Sequence, residues 1–281
     1  MPIRDTLNRL YEECNFNERM KNDPIEFPHR YRDPLDIEVS GFIASAFAYG
    51  RIELFKPVIE GMLISFGKSP YDFLLNFKLS KAQRYFNGTN YRFSKERDVI
   101  AFIYMISHAL QGFGSLKELF YSCYKEDDKD IGNALTGFVS FFLNIDTTPV
   151  YGKNIKPHGL SHFFPLPSNG SACKRMNLFL RWMVRRRDID FGLWQRIHPS
   201  RLIIPLDTHI ARISRCLALT KRTSPDWKTA KEITESLKRF DPDDPLRYDF
   251  ALCHHGISGK CRGKKDHLCS NCLLYDINHR E

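Results

Sequence analysis

The feature that most restricts what this 281-residue chain can fold into is an apolar period of three to four residues that recurs along most of its length. Phe102, Met105, Ile106, Ala109 and Leu110 fall at i, i+3, i+4, i+7 and i+8, the spacing of one helix face. Ile131, Leu135, Phe138, Val139 and Phe142 form a second stripe, and Met176, Phe179, Leu180, Met183 and Val184 a third. Strand-like alternation bounded by turns is not seen, so the expected fold class is all-α. Start signals agree: Asp226 precedes WKTAKEITESL, and Asp244 with Pro245 precedes LRYDFALCHH, each a cap where a helix should begin. Gly256 offers a left-handed stop to the last of these helices.

One stretch breaks the period. Residues 145–171, IDTTPVYGKNIKPHGLSHFFPLPSNGS, contain four prolines and three glycines, the mark of a long loop that serves as a boundary or a working surface. Composition bounds the rest. Hydrophobic residues at 42% and aromatics at 13% exclude a disordered chain. Purely apolar runs are only a few residues long, too short to cross a bilayer, and the N-terminus carries acidic residues in a helical pattern. A cytoplasmic protein without a membrane partner is expected, its eight cysteines reduced. Lys and Arg total 42 against 33 Asp and Glu, and the resulting +9 favours a polyanionic partner.

Two helix starts carry residues suited to chemistry. Ser168, Asn169, Gly170 and Ser171 lie in a Pro/Gly turn that feeds a helix, where unpartnered backbone N–H groups suit a phosphate. Lys174 lies in the first turn of that helix, opposing the positive end of the dipole, a setting that favours a neutral, nucleophilic amine. Arg175, beside it, cannot lose a proton and cannot replace that amine. Further along, Arg181 and the run Arg185, Arg186, Arg187 read equally as a solvated last turn or as phosphate contacts. Asp207, 33 residues after Lys174, precedes the apolar-periodic segment THIARISRCL. As an N-cap its carboxylate accepts a backbone N–H and meets the dipole favourably, which accounts for it as a structural residue and also fixes it as a catalytic carboxylate would need.

The turn LPSNGSACK, the apolar helix after it and the PLDTH cap resemble the helix-hairpin-helix (HhH-GPD) DNA glycosylases, whose signature is a hairpin lysine followed by a helix-capping aspartate. The lysine-to-aspartate interval is longer than in the common members and is nearest in layout to the divergent archaeal 8-oxoguanine glycosylases. DPLDIEVSGFIASAFAYGR (33–51) is similar to the helix that opens that family's barrel, and FDPDDPLRYDFALCHHGISGKC (240–261) to its segment ending in a His-Gly and a cysteine. Residues 52–164 match only in being helical, and Lys174 sits four residues after Gly170 where the common hairpin places it two after. The blocks together also resemble a bacterial family known only as a domain of unknown function.

The resemblance implies two helical subdomains with a cleft between them: 1–35 with 207–281, and 36–206 as a helical barrel carrying the hairpin at 165–175. It implies a DNA partner and base-excision repair, with Lys174 as nucleophile and Asp207 as its carboxylate, acting on a base flipped from the stack. The hairpin residues Ser168, Asn169, Gly170 and Ser171, with Arg175, Arg181 and Arg185, would hold DNA. Tyr49 and Arg51 would fill the vacated stack or simply end their helix. The alternative of another class is a non-catalytic DNA- or RNA-binding module on the same fold. The family's iron–sulfur loop is degenerate here: Cys261, Cys269 and Cys272 are present, but Asn278 stands where a fourth cysteine belongs. No cofactor is expected, with zinc on Cys261, Cys269, Cys272 and a nearby histidine the alternative. Cys253, at an apolar-face spacing from Leu246 and Phe250, reads as a buried thiol.

Overall fold

The computed structural model describes residues 3–258 together with Cys269, Cys272 and Leu274. Among them the chain is helical, with no strand and two isolated bridges, Tyr91 with Ser94 and Ser171 with Asp226. All fifteen residues of the three apolar stripes are buried. The chain divides into two compact units: a middle unit, Asn22–Asn169, and a terminal unit of Met1–Lys21 with Gly170–Glu281.

The terminal unit begins with α1 (Ile3–Glu12) and α2 (Phe16–Met20). The middle unit follows with α3 (Pro34–Phe47), α4 (Ile52–Phe66), α5 (Pro70–Leu75), α6 (Ala82–Phe86), α7 (Glu96–Phe113), α8 (Leu116–Cys123) and α9 (Gly132–Asn144). The proline-rich stretch contains α10 (Thr148–Tyr151), α11 (His158–Ser161) and a 3-10 turn at Pro167–Asn169. The terminal unit resumes with α12 (Lys174–Val184), α13 (Thr208–Cys216), α14 (Trp227–Lys238) and α15 (Asp249–Ile257).

In the middle unit α3 is buried on every side from Asp36 to Phe47, which makes it a central helix. Its two inward carboxylates serve neighbouring helices. Asp36 accepts from Ser69 Oγ at 2.8 Å and Tyr71 N–H at 2.9 Å at the start of α5, and Glu38 accepts from Leu116 N–H at 2.6 Å at the start of α8. Around α3 an aromatic core forms, with Phe42 against Phe102, Phe138 and Phe142, and Phe102 stacked on Phe163 at 4.4 Å. Each fully buried ring of this kind contributes about 2–3 kcal/mol.

In the terminal unit α12 is the central helix, buried from Arg175 to Val184. The N-terminal segment packs at α15: Tyr248 Oη, just before that helix, donates to Asn8 at 2.7 Å, and Phe16 stacks on Phe250 at 5.3 Å. This packing moves the expected boundaries. The break falls at Gly170 rather than Asp207, because α12 is bound to α15 by the buried Arg181–Asp249 ion pair, and at Asn22 rather than Asp36, because the 3-10 turns at Pro24–Glu26 and Pro28–Arg30 pack on α3.

Two helix signals are also corrected. α15 begins at Asp249 rather than after Asp244, whose carboxylate is held at both oxygens by Arg185 and so does not cap. Gly256 lies inside α15 instead of stopping it. A Cβ there would stand 2.8 Å from His209 Cβ, so glycine is required for α13 and α15 to approach this closely.

Candidate active site

The run Leu202–Leu206 is buried and reaches Asp207 in extended conformation, with Ile204 N–H donating to Thr234 Oγ1 at 3.0 Å. Asp207 caps α13 as the sequence predicts. Its Oδ1 accepts from Ile210 N–H at 2.8 Å and its backbone oxygen from Ala211 N–H at 2.9 Å. Its other oxygen, Oδ2, accepts from the Cys253 thiol on α15 at 3.5 Å. Both oxygens of a half-exposed carboxylate are therefore held by separate donors.

Lys174 is the first residue of α12 and half-exposed. The residue before it, Cys173, adopts φ 49°, the left-handed conformation that costs a non-glycine residue about 1–2 kcal/mol. The turn that imposes this is tied down: Gly170 (φ 78°) accepts from Trp227 N–H at 3.1 Å, Cys173 N–H donates to Ser171 Oγ at 3.2 Å, and the buried Asn177 amide donates to Ala172 O at 3.1 Å. Strain held in place by neighbours is frequent at functional sites. Burial pushes the Cys173 thiol up to about 12, which keeps it protonated and unreactive at neutral pH. Ser168, Asn169 and Gly170 are exposed on the turn and Ser171 half-buried.

Neither reading of the cationic end of α12, a solvated last turn or a phosphate contact, fits Arg181 and Arg185. Arg175, Arg181 and Arg185 are all buried. Arg181 pairs with Asp249 at 2.5 Å and Asp190 at 3.3 Å. Arg185 holds Asp244 through two bonds of 2.8 Å, and also Asp190 and Asp188. These two guanidiniums are consumed by internal carboxylates and do not face a phosphate; only Arg186 and Arg187 of the run are exposed. The helix buries its whole circumference, so no solvent face remained for a stripe. Burial works against the charge of Arg185, but Asp190, Asp244 and Asp188 beside it hold its proton more tightly than usual. Burial pushes Asp249 up to about 6; Arg181 pulls it down, and the negative charges of Asp207 and Asp190 add to the rise.

Sequence reasoning did not single out Asp249, and it read Cys253 as a buried thiol, whereas Cys253 is half-exposed and its thiol meets Asp207. The i, i+4 spacing of Asp249 and Cys253 puts them on one face of α15, which is the signal that was available. In the middle unit Tyr49 is half-buried, edge-on to Tyr91 and His162 at 4.7 Å each, and Arg51 is exposed ahead of α4. A second turn, missed in the sequence, presents Arg92 and Phe93 beside Tyr49. Tyr91 and Ser94 close it by two mutual backbone bonds of 2.9 Å, and Phe93 is 49% exposed with its ring parallel to that of Tyr49. Tyr91 Oη also donates to Tyr49 O, and Gly50 (φ 86°) admits the contact, since a Cβ there would stand 2.8 Å from that hydroxyl.

Of the cysteines considered for metal, Cys261 lies outside the described residues. Cys272 Sγ is 3.5 Å from His255 Nε2, and among the described residues no three His, Cys, Asp or Glu side chains form a metal-holding group.

The model of one protein family, described as a protein of unknown function (DUF2400), matches residues 23–258. The chain belongs to the DUF2400 family. The DUF2400 match takes in nearly all of the middle unit and α12 to α15 of the terminal unit, including Lys174, Asp207, Asp249 and Cys253. No curated protein and no solved structure matches the chain.

Proposed function

We propose that this DUF2400 protein is a DNA base-excision glycosylase with AP lyase activity, in which Lys174 is the nucleophile and Asp207 its carboxylate partner. The observation that carries the reading is the state of Asp207: an N-cap carboxylate of α13, half-exposed, with each oxygen held by a different donor. Lys174, opening α12 behind the left-handed Cys173, supplies the amine in the same unit.

In this reading the target nucleotide leaves the stack so that its glycosidic carbon can be reached. The Lys174 amine bonds to C1′ as the C1′–N bond breaks, and the base departs with the electron pair and takes a proton from water. Asp207 takes the proton lost by the amine and offsets positive charge growing on the sugar. That proton passes from Asp207 to the ring oxygen as the sugar ring opens, leaving an iminium on Lys174. Loss of a C2′ proton then expels the 3′ phosphate, and hydrolysis frees the lysine. In the terminal unit the exposed Gly170, Arg186 and Arg187 supply donors to phosphate; the middle unit, taken by itself, offers the exposed Arg51 and Arg92 to phosphate and the rings of Tyr49 and Phe93 to a nucleic-acid base.

The test is borohydride trapping on abasic and oxidised-base duplexes with the parent, Lys174→Gln and Asp207→Asn. The parent should give a covalent adduct, Lys174→Gln none, and Asp207→Asn should slow base release by about 10²–10⁴-fold. No adduct and no base release from any duplex would overturn the reading. Duplex binding that survives both substitutions without any chemistry would leave a non-catalytic binding module instead.

A further inference from the structure

Asp207 and Lys174 open two different helices, and a third helix touches the supports of both. On α15, Asp249 and Cys253 lie one turn apart on one face. The Cys253 thiol donates to Asp207 Oδ2 at 3.5 Å, the oxygen that the α13 cap does not use. Asp249 accepts from Arg181 at 2.5 Å, and Arg181 follows Lys174 by seven residues, two turns along the same face of α12. Next to these contacts Gly256 of α15 packs tightly against the His209 side chain of α13, and Arg212 donates to Gly256 O at 3.2 Å. Neither Asp249 nor Cys253 caps α15. α15 has no side-chain cap bond from Tyr248, and the hydrophobic contacts of Phe250 and Leu252 already bury it.

We infer that α15 is the brace of the site, with Cys253 a positioning residue that fixes the Asp207 carboxylate and Asp249 its counterpart that fixes the Lys174 helix through Arg181. This rests on the proposed chemistry of Lys174 and Asp207. A carboxylate held only by its cap bond can turn about its side-chain torsions. The second donor removes that freedom and leaves Asp207 one orientation. The thiol suits this task because it donates weakly, leaving the carboxylate able to accept a proton, and because it is compact enough for the close packing of α13 on α15.

The experiment compares the parent with Cys253→Val, which keeps the size and removes the donor, and Cys253→Ser, which keeps a donor. Single-turnover borohydride trapping on an abasic duplex and affinity for an uncleavable abasic-analogue duplex are measured on the full chain. Cys253→Val should trap about 10- to 100-fold more slowly with unchanged duplex affinity, the effect of a misplaced catalytic group, and Cys253→Ser should recover at least half of that loss on a logarithmic scale. Equal rates for the parent and Cys253→Val, or no recovery with Cys253→Ser, would overturn the positioning role. A second arm does not depend on activity: alkylation of Cys253 by iodoacetamide, followed by peptide mass, in the parent and in Asp207→Ala. Removing the carboxylate should speed alkylation several-fold, because a neighbouring negative charge opposes the thiolate. Unchanged alkylation would overturn the contact itself. If that arm gives the expected rise while the parent traps no duplex, the chemistry assigned to Lys174 has failed and the Cys253–Asp207 contact has not.

Discussion

Arg185→Met separates a buried structural guanidinium from a phosphate contact, and the structure sets the size of the expected effect. The Arg185 side chain is 3% exposed and holds Asp244 at both oxygens, with Asp190, fully buried, and Asp188 as further partners. Methionine fills a similar volume but leaves these carboxylates facing one another without the cation. Removing one partner of a buried pair costs about 3–5 kcal/mol, because the cost is that of the charge left behind. For a chain of this size that corresponds to a fall in melting temperature of about 6–20 °C. The loss should be larger at pH 8 than at pH 5. Burial already pushes the Asp190 carboxyl up, and once the guanidinium is gone, protons taken up by Asp190 and its neighbours at lower pH relieve part of the repulsion. The assay is thermal unfolding followed by circular dichroism at both pH values, alongside duplex affinity as a function of salt. A melting temperature within about 2 °C of the parent, together with weaker duplex binding and a shallower salt dependence, would refute the reasoning and return Arg185 to the surface.

Asp249 gives a pH signature of opposite sense to that of an ordinary paired carboxylate. Its folded value of about 6 lies above the ordinary 3.8, so its contribution is fully present below 3.8 and is lost as pH rises through 6. Between those limits the parent should lose ~3 kcal/mol relative to Asp249→Asn, read as the difference between their denaturant-unfolding curves at pH 4 and pH 7; parallel curves would contradict it. Phe93→Ala should leave the melting temperature nearly unchanged, because half of the ring is exposed, but weaken binding to a duplex carrying an abasic gap by ~1–3 kcal/mol, measured by fluorescence anisotropy. Equal affinity for parent and variant would remove the Arg92–Phe93 turn from the DNA surface.

The helices were legible because burial of a single face leaves a period in the sequence. All three stripes are core, and Asp226 and Asp207 cap α14 and α13 where the side-chain pattern places them. The polar residues were legible only where their partner is local. An N-cap bonds to a backbone three residues away, so Asp207 and Asp226 reveal themselves. Asp36, Glu38, Asp244 and Asp249 instead serve partners 33 to 78 residues away in sequence, and nothing beside them marks that. Asp244 was misread as a cap for this reason. The unit boundary was missed likewise: the ion pair joining α12 to α15, Arg181 with Asp249, spans 68 residues, and the hairpin seemed to belong with the helices before it.

The same long-range pairing changes what the net charge means. Three arginines expected at a phosphate, Arg175, Arg181 and Arg185, are in the interior, which at first weakens the case for a polyanionic partner. The balance of the terminal unit's interior decides how much is lost. Three buried guanidiniums, Arg175, Arg181 and Arg185, stand against three buried carboxylates, Asp190, Asp244 and Asp249, so these six groups sum to zero when every carboxyl is ionised. The +9 of the whole chain is then left to the other residues, among them Arg51, Arg92, Arg186 and Arg187, which are exposed. Attraction for a polyanion depends on that excess and not on the count of arginines, so burying these three changes which residues could make such contacts without removing the excess.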